Sequence, residues 1–143
     1  MRIHVVFSTK ERQRCLHEAI QPKLWAYIAG IARHHKFEAI KIGGAEDHCH
    51  ALILLPPPMP LSKAVQTMTG CSSKWLNDTG AAEMTFAWQE GYGAFSVSAS
   101  QTAEAVEYIR NQTAHHKKRN YEEEFLELLK RYGIAYDPVH VLG

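Results

Sequence analysis

In this 143-residue chain, two histidines separated by one residue, His48 and His50, have a spacing that suggests chemistry. Side chains alternate between the faces of a β-strand, so both imidazoles would leave one face if a strand began at His48. Cys49, between them, would then point to the opposite face. Two convergent imidazoles can share a metal ion. Taken alone, the spacing favours the simpler alternative of two hydrogen-bonded or solvated histidines at a strand start.

Tyr108 and Gln112 form a second candidate group, because residues four apart lie on one face of a helix. A tyrosine can serve as a covalent nucleophile, and an amide oxygen can bind a metal ion. Taken alone, this pair fits a half-buried packing tyrosine better than a catalytic site.

Positive charge is a third feature that could serve function. The whole chain has 16 Lys and Arg against 15 Asp and Glu, so bulk charge does not make it a nucleic-acid coat. Residues 1–80 nevertheless contain 10 basic against 6 acidic residues, whereas residues 81–143 contain 6 against 9. A solvated surface is the alternative to a phosphate-binding one. The candidate DNA contacts are Lys10, Arg12, Arg14, Lys41 and Lys74, with a second basic cluster at Lys117, Lys118 and Arg119.

Apolar patterning predicts the elements that must position these residues. Strands are expected at 3–8, 38–42 and 49–55, and a fourth strand within 86–98, most clearly at 94–98. Helices are expected at 18–36, 61–76, 100–116 and 121–132. We expect Pro22 in a first helical turn, a turn at 77–82, Ser100 as an N-cap and Gly133 as a C-cap. The order β-α-β-β-α-β-α-α begins with the ferredoxin-like split βαβ unit. The sequence therefore predicts an α+β class, a ferredoxin-like βαββαβ sandwich with additional C-terminal helices, in a single domain over residues 1–143.

Composition and cysteine usage narrow the class of protein further. The 45% of hydrophobic and 22% of charged residues are typical of a folded globular domain. The three cysteines are odd in number and no two are spaced as CxxC, which favours a reducing cytoplasm over a disulfide framework. No signal peptide is recognised, and the longest apolar stretch, 51–60, is too short and proline-rich to span a membrane. We therefore expect a cytoplasmic protein.

Four blocks of sequence carry a specific resemblance when taken together. They are HVVFSTK at 4–10, the 43–56 run that contains DHCH, WQEGYGAFSVS at 88–98 and YIRNQTAHH at 108–116. In this order they resemble the single-tyrosine HUH transposases of the insertion-sequence-200 type, including relatives associated with repetitive extragenic palindromes. The resemblance covers nearly the whole chain. It implies a ferredoxin-like nuclease domain that acts on single-stranded DNA, often near an imperfect hairpin.

The same resemblance implies roles for individual residues. His48 and His50 correspond to the HUH histidines, Gln112 to the third metal ligand and Tyr108 to the nucleophile. Cys49 stands where the family usually has a bulky apolar residue. The implied cofactor is a divalent metal, Mg²⁺ or Mn²⁺. The implied product is a 5′-phosphotyrosine beside a free 3′-hydroxyl, which permits cutting and rejoining without a nucleotide cofactor; the chain has no P-loop pattern. The resemblance also implies a homodimer, in which the tyrosine helix of one chain often completes the site of its partner.

Two other functions remain open at the level of sequence. One is a hairpin-binding module, non-catalytic or domesticated, built on a fold that RNA-recognition domains share. Such domains need stacking aromatics on their central strands, and the third predicted strand has no Phe, Tyr or Trp. The other is a metal-dependent phosphodiesterase that activates water and forms no covalent intermediate.

Overall fold

In the part of the chain that the structure describes, four strands and four helices follow one another in the order that the sequence predicts. The computed structural model describes residues 1–112 and 121–132. The strands are β1 (Arg2–Ser8), β2 (Glu38–Gly44), β3 (His48–Leu54) and β4 (Gly93–Ser96), and the helices are α1 (Gln21–His34), α2 (Leu61–Thr79), α3 (Thr102–Arg110) and α4 (Tyr121–Arg131). Short 3₁₀ turns lie at Lys10–Arg12 and Ala99–Gln101. Among the described helices, none has the length and hydropathy needed to cross a bilayer.

The strands form one antiparallel sheet in the order β2-β3-β1-β4, which is the ferredoxin-like arrangement. The two central strands are the most apolar in sequence, as expected for strands that are covered on both faces. In their register Val6 lies opposite His50, and Ser8 lies opposite His48. The predicted α+β fold class is therefore confirmed.

Side-chain alternation divides the sheet between two apolar layers. Val5, Phe7, Cys49, Ala51 and Ile53 point to one face and join the core built with α1 and α2. On the other face, Val6, Leu52 and Phe95 pack with residues of α3 and α4. Because His48 and His50 alternate with Cys49, they belong to the second face, where α3 and α4 lie.

Several predicted boundaries are shifted. β3 begins at His48, α1 begins at Gln21 with Pro22 in its first turn, and β4 is limited to Gly93–Ser96. α2 continues to Thr79 and ends at Gly80, whose φ of 67° is the left-handed conformation that glycine adopts without strain.

The predicted N-cap of α3 is wrong. Ser98, not Ser100, forms a capping box with Gln101, so a 3₁₀ turn precedes the α-helix proper. α3 ends at Arg110, earlier than predicted, and Asn111 is its C-cap. The rest of the predicted helix, residues 113–116, and the Gly133 C-cap lie outside the described residues.

Candidate active site

A close approach between α3 and β2 brings the two candidate groups together. Gly43 pairs with His50, and a Cβ atom at Gly43 would lie 2.7 Å from the carbonyl oxygen of Ile109. Only a glycine allows the helix to lie this near to the strand. Tyr108 precedes the contact residue, and Gln112 lies one helical turn beyond Tyr108. Both side chains therefore face the start of β3.

His48 is fully buried and surrounded by oxygen atoms. Its Nδ1 lies 2.8 Å from Oδ1 of Asp47, and its Nε2 lies 2.9 Å from Oε1 of Gln112 and 3.2 Å from Oε2 of Glu124. The Gln112 amide nitrogen donates to the carbonyl oxygen of Tyr108 at 3.4 Å, which leaves the amide oxygen facing the imidazole. Because these three oxygens are hydrogen-bond acceptors, the arrangement requires positive charge at this imidazole.

The pKa values agree with that requirement. Burial lowers the pKa of His48, but hydrogen bonds and attraction to Asp47 and Glu124 outweigh burial and raise the pKa to about 9. Burial raises the pKa of Glu124, and the interaction with His48 outweighs it, so that this pKa lies below its usual value. A cation beside His48 would satisfy the same oxygens.

His50 is oriented by a chain of hydrogen bonds that starts at Tyr132, the residue after α4. Its Nδ1 lies 2.8 Å from Nε2 of His4, and Nδ1 of His4 lies 2.8 Å from the hydroxyl of Tyr132. The other nitrogen of His50, Nε2, lies 4.0 Å from Oε1 of Glu124. If Nδ1 of His50 donates to His4, the lone pair of Nε2 is directed towards the site.

Tyr108 completes the group within a single chain. Its hydroxyl donates to Oε1 of Glu124 at 3.0 Å, and its ring centroid lies 5.6 Å from that of His50. The side chains of Tyr108, Gln112 and Glu124 are buried, and α4 covers them. A phosphate can reach the phenol only if part of this cover moves.

The donor set of this cluster fits a divalent metal ion. The ligand atoms of His48, His50 and Glu124 all lie within 4.8 Å of one another, and the Gln112 oxygen lies beside them. Imidazole nitrogens together with carboxylate and amide oxygens suit Mn²⁺ and related divalent ions, whereas Mg²⁺ prefers oxygen ligands. The arrangement can therefore hold a cation next to a phenolic hydroxyl.

The chain matches a known protein family over most of its length. The profile of the family described as "Transposase IS200 like" matches residues 1–112. The chain belongs to this transposase family. Membership of this family supports a role for the protein in DNA transposition, as an enzyme that processes DNA. No curated protein matches the sequence.

Two solved structures share the fold of this transposase. A candidate transposase from Deinococcus radiodurans is 21% identical with a TM-score of 0.64, and the match covers 79% of this chain and 91% of that chain. A REP-associated tyrosine transposase bound to a REP hairpin is 18% identical with a TM-score of 0.60, and the match covers 80% of this chain and 67% of that chain.

The structure of the transposase also brings in residues to which the sequence patterns assigned no role. Glu124 and Tyr132 come from the C-terminal part, His4 comes from β1, and Asp47 precedes β3. One signal was available for Glu124, because it lies four residues before the buried Leu128 and so places a charge on the apolar face of α4. A similar signal marks His4, a histidine in phase with Val6 within an otherwise apolar strand.

The candidate DNA contacts of the transposase do not lie together. Lys10 and Arg12 lie in the turn after β1, and Arg14 follows as an exposed residue. The turn lies close to the site, because the backbone amide of Thr9 donates to the carbonyl oxygen of Asp47 at 2.9 Å. Lys41 pairs with Leu52 and so lies on the site face of β2. Lys74 belongs to α2 in the opposite layer, where its Nζ lies 2.7 Å from Asp78. The cluster at 117–119 lies outside the described residues.

Proposed function

We propose that the protein is a single-tyrosine HUH endonuclease and strand transferase. It would cut and rejoin single-stranded DNA near hairpin ends during transposition, as a single domain over residues 1–143. The observation that carries the proposal is the convergence of the Tyr108 phenol with His48, His50 and Gln112 inside one chain.

In the proposed reaction the Tyr108 oxygen attacks the phosphorus of the scissile phosphodiester. The new bond joins the phenolic oxygen to phosphorus, the bond between phosphorus and the 3′-oxygen breaks, and the phenol gives up its proton while the departing 3′-oxygen gains one. The products are a 5′-phosphotyrosine and a free 3′-hydroxyl. Tyr108 is held ready for this step because its hydroxyl donates to Glu124 and its ring packs on His50.

His48, His50 and Gln112 would hold the divalent ion, Mg²⁺ or Mn²⁺. When bound, the ion would polarise the phosphate and neutralise the charge that develops on it. Asp47 and His4 keep the two imidazoles oriented through their Nδ1 atoms. Gln112 stays in place because its amide nitrogen is bonded to the backbone of Tyr108.

A tyrosine nucleophile explains how rejoining could proceed without a nucleotide cofactor. The pKa of a phenol is about 10, whereas that of water is about 15.7, so phenolate is the better leaving group. The phosphotyrosine therefore keeps the phosphate reactive towards a second 3′-hydroxyl. Strand transfer would then reverse the cleavage step with a different DNA end.

A DNA hairpin is the proposed partner. The similar structure of a REP-associated transposase is bound to a REP hairpin, which supports the same class of ligand for this chain. Lys10, Arg12, Arg14 and Lys41 would contact its phosphates. We also propose a homodimer, in which each chain retains its own tyrosine beside its own histidines.

The test is to trap the covalent intermediate on single-stranded hairpin DNA in the presence of Mn²⁺. DNA labelled at its 3′ end should shift to the size of a protein adduct on a denaturing gel, whereas DNA labelled at its 5′ end should be shortened and free. Mass spectrometry should place the adduct on Tyr108.

The Tyr108→Phe variant should lose cleavage and keep hairpin binding, while Tyr92→Phe, at an exposed tyrosine, should cleave normally. Cleavage by Tyr108→Phe would instead indicate a phosphodiesterase that uses water. A wild-type protein that binds the hairpin and never cleaves it would indicate a binding module.

A further inference from the structure

The helix α4 lies beyond the part of the chain that matches the family, yet one of its side chains enters the site. The family match ends at residue 112, and Glu124 lies twelve residues later. Its carboxylate is only 2% exposed. A carboxylate in a protein interior is stable only where hydrogen bonds or a cation compensate its charge.

The distances around Glu124 suit a metal ligand. Oε2 lies 3.2 Å from Nε2 of His48, and Oε1 lies 4.0 Å from Nε2 of His50. In an octahedral site with bonds near 2.1 Å, neighbouring ligand atoms are about 3 Å apart and opposite ones about 4 Å apart. The two observed distances, each to a different oxygen of the carboxylate, lie between these two values.

The charge of Glu124 also suits this role. Two neutral imidazoles and an amide bring no negative charge to a divalent cation, whereas a carboxylate brings one. The carboxylate is held in place from both sides. Tyr108 donates to Oε1 at 3.0 Å, and the buried Leu128 and Leu129 anchor α4 on the sheet. The helix is therefore fixed with its acidic residue facing the histidines.

We propose that Glu124 is a fourth protein ligand of the divalent ion, so that α4 forms part of the metal site. This proposal rests on the proposed metal-dependent function and adds a residue from outside the matched region. It predicts that binding of the ion and docking of α4 stabilise each other.

The first test measures Mn²⁺ affinity by calorimetry on the full chain without DNA. Loss of an outer partner of a metal ligand commonly costs 10- to 100-fold in affinity, so Glu124→Gln should weaken Mn²⁺ binding by at least about 10-fold. Glu123→Gln makes the same chemical change at the adjacent, exposed position and should bind as the wild type does. Unchanged affinity of Glu124→Gln would overturn the proposal.

A second variant keeps the test decisive if Glu124→Gln does not fold. Glu124→Asp retains the charge and moves the carboxylate back by one methylene, so it should fold and bind Mn²⁺ more weakly. Wild-type affinity in this variant would contradict direct ligation.

Hydrogen exchange gives a readout that does not depend on affinity. Mn²⁺ should slow amide exchange across residues 121–132 in the wild type and in Glu123→Gln, and should not do so in Glu124→Gln. If Mn²⁺ instead speeds exchange in α4, the ion displaces the helix and Glu124 is a plug rather than a ligand.

A further variant separates failure of this proposal from failure of the proposed function. His48→Ala should lose Mn²⁺ binding. If it binds Mn²⁺ as the wild type does, the metal site itself is wrong and both proposals fail. If His48→Ala loses Mn²⁺ while Glu124→Gln keeps it, only the role of Glu124 is wrong.

Discussion

The two histidines of the site are oriented in the same way by different partners. His48 directs Nδ1 to the Asp47 carboxylate, and His50 directs Nδ1 to the imidazole of His4. In both residues Nε2 then faces Glu124. Partners that fix the tautomer and the ring orientation raise the metal affinity of a histidine.

We predict that His4→Phe weakens Mn²⁺ binding by about 10- to 100-fold, because it removes the partner of His50 while retaining a ring in the same space. It should also lower the free energy of unfolding by about 1–3 kcal/mol, since Nδ1 of His50 loses its bond in a buried place. Calorimetry and urea unfolding measure the two effects. His34→Phe, on the exposed side of α1, is the control. Wild-type affinity in His4→Phe would show that His50 needs no orienting partner.

Local spacing explains which site residues the sequence can suggest. The pairs His48 with His50 and Tyr108 with Gln112 lie within one strand or one helical turn, so their common faces follow from backbone geometry. The meeting of the two pairs spans about 60 residues and depends on the docking of α3 on the sheet. His4 and Glu124 come from two further segments, and nothing in their spacing connects them to the histidines.

At the level of elements, apolar periodicity predicts the order correctly and leaves the ends uncertain. The sequence predicts a turn over 77–82 that begins at Asn77. In the structure its amide bonds both backbone groups of Phe86, at 2.7 and 3.0 Å, while its own backbone remains helical. α2 thus continues three residues beyond the prediction, and the contact that accompanies this joins residues nine apart, beyond the reach of helical periodicity.

The contact between α3 and β2 gives a prediction at the same level. Gly43→Ala should push Ile109 away and so move Tyr108. Because a misplacement of about 1 Å can cost about 100-fold in rate, formation of the adduct should slow by up to that factor. It should also destabilise the fold by about 1–3 kcal/mol through overpacking. Gly30→Ala has open space in α1 and should be neutral or stabilising by up to about 1 kcal/mol. Adduct-formation rates and urea unfolding compare the two, and a normal rate in Gly43→Ala would contradict this role of the glycine.

On the scale of the whole molecule, the sheet separates a structural layer from a chemical one. α1 and α2 cover the face that contains Cys49, whereas α3 and α4 enclose the histidines on the other face. In the proposed reaction, DNA would therefore approach Tyr108 from the second layer or from the end of the sheet where β3 begins. The turn with Lys10 and Arg12 lies at that end, and Lys74 lies in the first layer.

This division predicts which basic residues bind DNA. Changing Lys10 and Arg14 together to alanine should weaken hairpin binding and reduce the slope of log affinity against log salt by about 0.7–0.9 for each phosphate that the variant no longer neutralises. Lys74→Ala should change neither quantity, because Lys74 is exposed on the opposite layer and paired with Asp78. Fluorescence anisotropy at several salt concentrations measures both. If Lys74→Ala lowers the slope and the double variant does not, the DNA follows α1 and α2, and the cleavage site must be reached by a different path.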